Sequence, residues 1–395
     1  MSGRRCHHLP GDVNSFKRDL ADDDPRKWVY SEHAHAKHAI LITYIDAWLT
    51  ILGRSRSKPD RLYVYEGFAG RGRYTDGEPG SPLLLYERAV RAAAAGDVRK
   101  VLIRCVERNR NNYLVLRDEI EKLGTDQVEI EARHDRFDVV AHELADNLEK
   151  FSDRKSRPIF VTVDPFGFSG VPAEVIQRLM AYSRVEVLIT YMVRDMRRFL
   201  TEPHHQVALT EFFGGDSWNQ CLQGEDRERC LLLRYAALIK KRGIARHTLT
   251  FRVFEDDKAQ TLYYLIHLTN ERKGMLEMKR AMIKTSSDMI FRPVTLAPPG
   301  QEAFDVAEQA PYPSLQGHLV RRFSGRTISF QQLIDDDYPD GTWLEGQYKE
   351  AIKAMEKSAT GVAVDRQGLT PTGRVRSGLN DDDSVTFPPY QPALV

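Results

Sequence analysis

The chain has 395 residues, of which 42% are hydrophobic and 29% charged, with a formal net charge of +1. That is an ordinary globular composition with length for about two domains, and it excludes any argument for nucleic-acid binding from overall charge. No apolar run approaches a membrane span and no signal-peptide pattern opens the sequence, so a cytoplasmic protein with no membrane partner is expected. Cys6, Cys105, Cys221 and Cys230 are scattered without a C-x-x-C. Their spacing predicts free thiols rather than a disulfide framework or a zinc finger.

Residues 1–27 are polar, with Arg4, Arg5 and the run Asp22 to Asp24, and read as a partly ordered arm. From Ser31, a capping residue, Leu41, Tyr44, Ile45, Trp48 and Leu49 recur at helical spacing until Gly53. This predicts an amphipathic helix. His33 and His35 point to different faces of it and match no metal spacing, so no metal is expected. Lys37 and His38 are candidates for lining a pocket.

Leu62 to Tyr65 has the aromatic and β-branched composition of a buried strand, and Glu66 sits at its carboxyl end. Gly67, Phe68, Gly70 and Gly72 follow, so a tight turn passes close to a ligand in the crevice where α/β sheets bind them. No Gly-Lys-Ser/Thr follows, which excludes a P-loop. The third glycine of a dinucleotide fingerprint would fall at Thr75, which disfavours a nicotinamide enzyme. The pattern resembles instead the first motif of S-adenosylmethionine-dependent methyltransferases, where an acidic residue and a glycine bend hold the methionine and ribose side of the cofactor. An ordinary strand-to-loop turn is the alternative. Ser81-Pro82 then starts a helix. The long loop before it carries Arg71, Arg73, Tyr74, Asp76 and Glu78, which either bind substrate or solvate a surface excursion.

Val101 to Val106 is a second buried strand, and Glu107 at its end is placed to hydrogen-bond both ribose hydroxyls, or to open the next helix. After a third strand near 128–132, either Asp135 or Asp138 can meet the adenine amine. The fourth strand, Pro158 to Val163, runs into Asp164-Pro165-Phe166-Gly167-Phe168. At this place amino methyltransferases carry an Asp/Asn-Pro-Pro-aromatic tetrad, whose carboxylate and backbone carbonyl orient a target amine while the ring stacks on a base. Here Phe166 replaces the second proline and Gly167 stands at the aromatic position, with Phe168 one residue late. Asp164, Pro165 and Phe166 are the catalytic candidates, and Phe168 a substrate contact for a flat, amine-bearing target. An Asp-Pro turn with core aromatics is the bland alternative.

A fifth strand, Val185 to Tyr191, leads into an arginine-rich stretch with Arg194, Arg197 and Arg198, where Arg194 is a substrate candidate. Residues near 201–243 read as a helical insertion over the active edge of the sheet. Leu249 to Phe254 and Thr261 to Leu268 read as two more strands, and a basic, methionine-bearing helix runs to Lys284. Pro293, Pro298, Pro299 and Gly300 mark the end of a domain covering 28–300.

Residues 311–395 form a second unit. Leu315 to Phe323, Ser329 to Asp336 and Leu344 to Lys357 are three helices, followed by a hairpin from Gly361 to Arg366 that returns through Thr372 to Arg376. Three helices and a hairpin predict a winged helix. Lys349, Lys353 and Lys357 form one stripe, extended onto the wing by Arg366, Arg374 and Arg376, and the surface suits nucleic-acid phosphates. A solvated face or a protein-docking surface is the alternative.

Across nearly its whole length the chain resembles the three-Cys-motif partner (TcmP) family. The residues that carry this are the Lys37 to Trp48 helix, Glu66 to Gly72 with Tyr74 to Pro82, Asp164 to Pro172, Lys273-Gly274 with Met278, Lys279 and Met282, and the block from Trp343. The resemblance implies a methyltransferase-like protein with a three-cysteine, radical-SAM-like protein as partner. The expected fold is α/β, a Rossmann-like methyltransferase sheet with helices on both faces plus a C-terminal winged helix. The expected function is S-adenosylmethionine-dependent methyl transfer to nucleic acid. The alternatives are a non-catalytic nucleic-acid adaptor for the partner, or a methyltransferase of a protein or small molecule.

Overall fold

A computed structural model describes residues 32–55, 59–150, 157–223, 226–254, 260–285, 291–293, 315–358, 360–368 and 377–390. The expected arm at 1–27, the capping residue Ser31, Pro298 to Gly300, Arg374 and Arg376 lie outside these residues.

The first five strands are β1 (Leu62–Glu66), β2 (Val101–Glu107), β3 (Val128–His134), β4 (Ile159–Val163) and β5 (Val185–Tyr191). They are joined by helices and pair in parallel in the order β3-β2-β1-β4-β5. β6 (His247–Phe254) and β7 (Thr261–Thr269) extend the sheet as β5-β7-β6, with β7 antiparallel to both neighbours. Strand order reverses between β1 and β4. That switch point opens a crevice at the carboxyl ends of the parallel strands.

Both faces are covered, as the apolar strand compositions require. Along β4, Phe160 faces one core while Ile159, Val161 and Val163 face the other, and β5 divides the same way at Leu188 against Val187 and Ile189. The first core receives α1 (Glu32–Gly53), α2 (Ser81–Ala94), α3 (Arg110–Ile120) and α9 (Arg272–Thr285). The second receives α4 (Phe137–Lys150), α5 (Ala173–Met180), α6 (Val193–Phe199), α7 (Gln206–Phe213) and α8 (Arg227–Arg242). The predicted insertion is therefore mostly core. Its apolar residues Leu209, Phe212, Phe213 and Tyr235 complete the second face beside α5, and none of its described residues lines the crevice.

α1 is tied down at its middle. Ile40, Leu41, Tyr44, Ile45, Trp48 and Leu49 are buried, and Tyr44 and Trp48 donate hydrogen bonds to the buried Glu186 carboxylate of β5 at 2.5 and 2.9 Å. Gly274 of α9 packs so closely on Glu186 that a Cβ there would stand 2.3 Å from its Oε2.

The expectation of free thiols is corrected. Cys221 and Cys230 form a disulfide with Cα atoms 5.5 Å apart, because the turn between the 221 region and α8 brings the two side chains together, whereas Cys105 is a buried free thiol. Phe291–Pro293 forms an eighth strand, β8, antiparallel to β6 at the sheet edge, where a proline is tolerated, and it is the last strand of this sheet.

The C-terminal unit runs α10 (Leu315–Arg322), β9 (Thr327–Ser329), α11 (Phe330–Asp337), α12 (Glu345–Lys357), β10 (Ala363–Asp365) and β11 (Ser384–Thr386). The three strands form an antiparallel sheet in the order β10-β11-β9. β10 therefore pairs with 384–386, and the expected return through 372–376 lies outside the described residues. Asp383 explains the register: it is fully buried, and its carboxylate accepts the amides of Gln367 and Asn380 at 2.9 and 2.8 Å. The unit leans on α9, where Arg272 pairs with Asp381 at 2.7 Å and Lys279 donates to the Tyr338 carbonyl. No helix among the described residues is long and apolar enough to cross a membrane.

Candidate functional site

Glu66 at the end of β1 is buried, and its carboxyl accepts hydrogen bonds from Thr162 of β4 and from Ser81 at the start of α2. Burial pushes its pKa up to about 7, only partly opposed by those hydrogen bonds and by the Lys37 ammonium. The chain then turns. Gly67 has no room for a side chain, since a Cβ would meet Phe137 at 2.5 Å, and Gly70 and Gly72 have φ of 62° and 78°. The bend carries the Gly70 amide to Glu107 at the end of β2, which accepts it at 2.9 Å on Oε2 and the Asn109 amide at 2.6 Å on Oε1.

Beyond the bend the loop folds back on itself, with Gly80 N–H donating to the Gly72 carbonyl at 2.8 Å and Tyr74 N–H to Glu78 at 2.9 Å. Tyr74 is thereby turned into the crevice. Asp76 is not; it is exposed, accepts the Glu78 amide at 3.4 Å at the turn, and stands outside the cavity lining.

Across the switch point, Asp164 leaves β4 and its carboxylate is paired with the Lys37 ammonium from α1, with Thr190 of β5 donating as well. Burial alone would raise the Asp164 pKa, but Lys37 outweighs it and holds the carboxyl below its usual range. Burial would likewise lower the Lys37 pKa, yet Asp164, with Tyr263 and Tyr74, keeps it above that of an ordinary lysine. Both members of the pair stay charged near neutrality. His38, next along α1, is pushed down to about 3 by burial and by the Lys37 charge, so its imidazole is neutral.

The bend, α1 and the Asp164 strand end enclose a cavity of about 360 Å³, and the expected cofactor residues Glu66, Gly67 and Glu107 stand outside its lining. Lys37, Phe68, Gly70, Gly72, Tyr74, Asp164, Pro165, Phe166 and Arg194 all line it, so helix, bend, strand end and the first turn of α6 converge as expected. Phe166 is 62% exposed, a ring open to a flat ligand. A smaller cavity of about 20 Å³ lies behind, between Glu66, Lys37, Thr162, Asp164 and Thr190.

Other expectations change. Phe168 does not face the cavity: it is 3% exposed and packs on His205 with ring centroids 5.8 Å apart, because Gly167, at φ 101°, reverses the chain after Phe166. Asp135 and Asp138 are outside the lining and are held by arginines, Asp135 by Arg133 at 2.7 Å and Asp138 by Arg136 at 2.9 Å. Of the two, Asp135 is next to Glu107, whose carbonyl accepts its amide at 3.2 Å. Ser81, Thr190 and Tyr263 were missed by the sequence reading. Tyr263 had a signal: in an antiparallel β7 the first residues lie at the same edge as the last residues of β5, and Tyr264 is paired with Tyr191.

The cations of the C-terminal unit divide into two kinds. Arg366 is locked by both oxygens of Glu356 at 2.6 Å, so it is not available to phosphates, and Lys349 is paired with Glu345 at 2.9 Å beside the Phe330 ring. Lys353 and Lys357 make no ion pair among the described residues, and Lys357 is exposed.

No protein-family model matches the chain, and a search of curated proteins finds no match. Solved structures similar to it include a Legionella pneumophila protein at 13% identity, covering 64% of this chain and 91% of the other, with a TM-score of 0.38. Trm1 from Pyrococcus horikoshii, solved with S-adenosyl-L-methionine, is 12% identical over 67% of this chain and 73% of its own, at 0.35. Human methyltransferase-like protein 13, solved with S-adenosylhomocysteine, is 12% identical over 64% and 91%, at 0.32.

Proposed function

We propose that the protein is an S-adenosylmethionine-dependent methyltransferase acting on nucleic acid. The observation that carries this is the crevice at the β1/β4 switch point, where a glycine bend and the charged Lys37–Asp164 site meet in one cavity, with the strand-end Glu107 hydrogen-bonded to the bend beside it. The cofactor's chemistry fits those residues. Glu107 accepts the Gly70 and Asn109 amides, which fixes a carboxylate beside the bend where it can meet a ribose hydroxyl. Gly70 and Gly72 line the cavity without side chains, and Arg194 supplies positive charge for a carboxylate. When bound, the cofactor supplies an electrophilic methyl carbon on a sulfonium.

The protein's own part is positioning and electrostatics. Phe166 offers a face for an acceptor ring, and the Lys37–Asp164 pair fixes polar groups at the reacting end of the cavity. The element order helix, strand, helix, helix, strand, strand in 315–386 supports reading the C-terminal unit as a winged helix that brings nucleic acid to the crevice. The resemblance to the TcmP family supports a three-cysteine, radical-SAM-like partner.

The test is transfer of a labelled methyl group to DNA, RNA and protein. Nucleic acid is expected to take the label, and Asp164→Ala to lower transfer by about 100-fold or more while sparing cofactor affinity. Retained cofactor binding with no turnover on any nucleic acid would favour the adaptor reading.

A further inference from the structure

The Lys37–Asp164 pair stands at the lining of the large cavity. In an amino methyltransferase the strand-end carboxylate must be open to accept N–H hydrogens from the target amine. Here Lys37 and Thr190 already donate to Asp164, so a target meets an ammonium donor beside the carboxylate's remaining lone pairs rather than a carboxylate alone. The lysine is not a mobile surface side chain. It projects from α1 two turns before Tyr44 and nearly three before Trp48, both of which are pinned to the buried Glu186 carboxylate.

An ammonium has three N–H donors, of which Asp164 takes one, and Lys37 also lines the large cavity. A ligand atom meeting it there must offer a lone pair. An exocyclic amine on a base has its lone pair drawn into the ring and would present N–H to N–H. A hydroxyl oxygen has two lone pairs, one for Lys37 and one for the methyl carbon, and its proton can point at Asp164.

We infer that the methyl acceptor is a hydroxyl oxygen, the ribose 2′-hydroxyl of RNA, seated on the Lys37 ammonium with Asp164 as proton acceptor. This rests on the methyltransferase reading and narrows it, because internal DNA nucleotides lack that hydroxyl. In the step, an oxygen lone pair forms the new O–CH3 bond and the S–CH3 bond breaks, its electron pair remaining on sulfur. The acceptor O–H proton passes to the Asp164 carboxylate and from there to water. Lys37 keeps its protons, consistent with its raised pKa, and stabilises the oxygen as it sheds its own.

The experiment uses the wild-type chain, methyl-labelled cofactor, and RNA oligonucleotides beside the same sequences made with 2′-deoxyribose. Cofactor affinity is measured first by calorimetry. Label is expected in RNA alone, in nucleotides whose following phosphodiester resists alkali. Equal labelling of the deoxy chains, label in a base, or cofactor binding with no label in RNA would each overturn the inference while leaving the cofactor site standing. Absence of cofactor binding would instead overturn the methyltransferase reading and the inference with it. Lys37→Met is expected to lower transfer to RNA by about 100-fold or more, with cofactor affinity changed less than about threefold. Unchanged transfer in that variant would remove Lys37 from the acceptor site.

Discussion

The crevice and the C-terminal unit both carry candidate charged residues, and the fold treats the two sets differently. In the crevice, charges are taken out of water and coupled: Lys37 with Asp164, and Glu66 beneath them with Thr162 and Ser81. In the C-terminal unit the candidate cations are exposed or half-buried, and whether each is available depends on a local partner. Arg366 and Lys349 are taken up by Glu356 and Glu345, while Lys353 and Lys357 are not. Desolvated charge is where protonation states and chemistry are set, whereas solvated charge contributes affinity that salt can screen.

Glu66 gives the largest test of that difference. Its folded-state pKa of about 7 lies above the ordinary 4.5, so the folded protein binds the proton more tightly than the unfolded chain. The stability this contributes is present below about pH 4.5 and is lost as pH rises to about 7. At about 1.4 kcal/mol per pKa unit, Glu66→Gln should be more stable than wild type at pH 8 by up to about 3 kcal/mol, and equal to it at pH 4. Denaturant unfolding at the two pH values reads this directly; equal curves at both would mean that the carboxyl is not desolvated.

A steric test of the same crevice is Gly67→Ala. The new Cβ must displace the Phe137 ring, 2.5 Å away, or the Thr162 carbonyl, 3.0 Å away. We expect a loss of about 1–3 kcal/mol in unfolding free energy, accompanied by loss of cofactor binding. Full retention of both would show that the bend is looser than its geometry.

In the C-terminal unit the expected effects are smaller and depend on salt. Replacing Lys353 and Lys357 by glutamate should weaken nucleic-acid binding and reduce the slope of log K against log salt by about 2. Arg366→Ala, which breaks a pair with Glu356, should leave that slope unchanged. A slope that responds to Arg366 instead would assign the surface to the β10 side of the unit.

The strands were the most legible part of the sequence. β1, β2, β4 and β5 are short apolar runs closed by polar residues, and β5 at Val185–Tyr191 falls where its composition puts it. Asp164 was legible for the same reason, since strand position alone places it at the crevice, with Glu66 behind it. Partners distant in sequence were not. Lys37 and Asp164 are 127 positions apart, and nothing in the spacing of either predicts the pair that alters what Asp164 can accept. Phe168 and Phe166 look alike in sequence, and only the left-handed Gly167 between them sends one into the core and the other to the surface. The Cys221–Cys230 link was hidden because its eight intervening residues match no motif spacing. Arg366 shows the converse: one side chain of a basic stripe can be neutralised by a glutamate ten positions away on α12.

The measurement that tests the account most directly is calorimetric titration of the purified protein with S-adenosylmethionine and S-adenosylhomocysteine, alongside Glu107→Ala. The account predicts saturable binding of both to the wild type, weakened by about tenfold or more when a charge-assisted hydrogen-bond acceptor is removed. No binding to the wild type, or affinity in Glu107→Ala equal to wild type, would contradict the placement of the cofactor in this crevice.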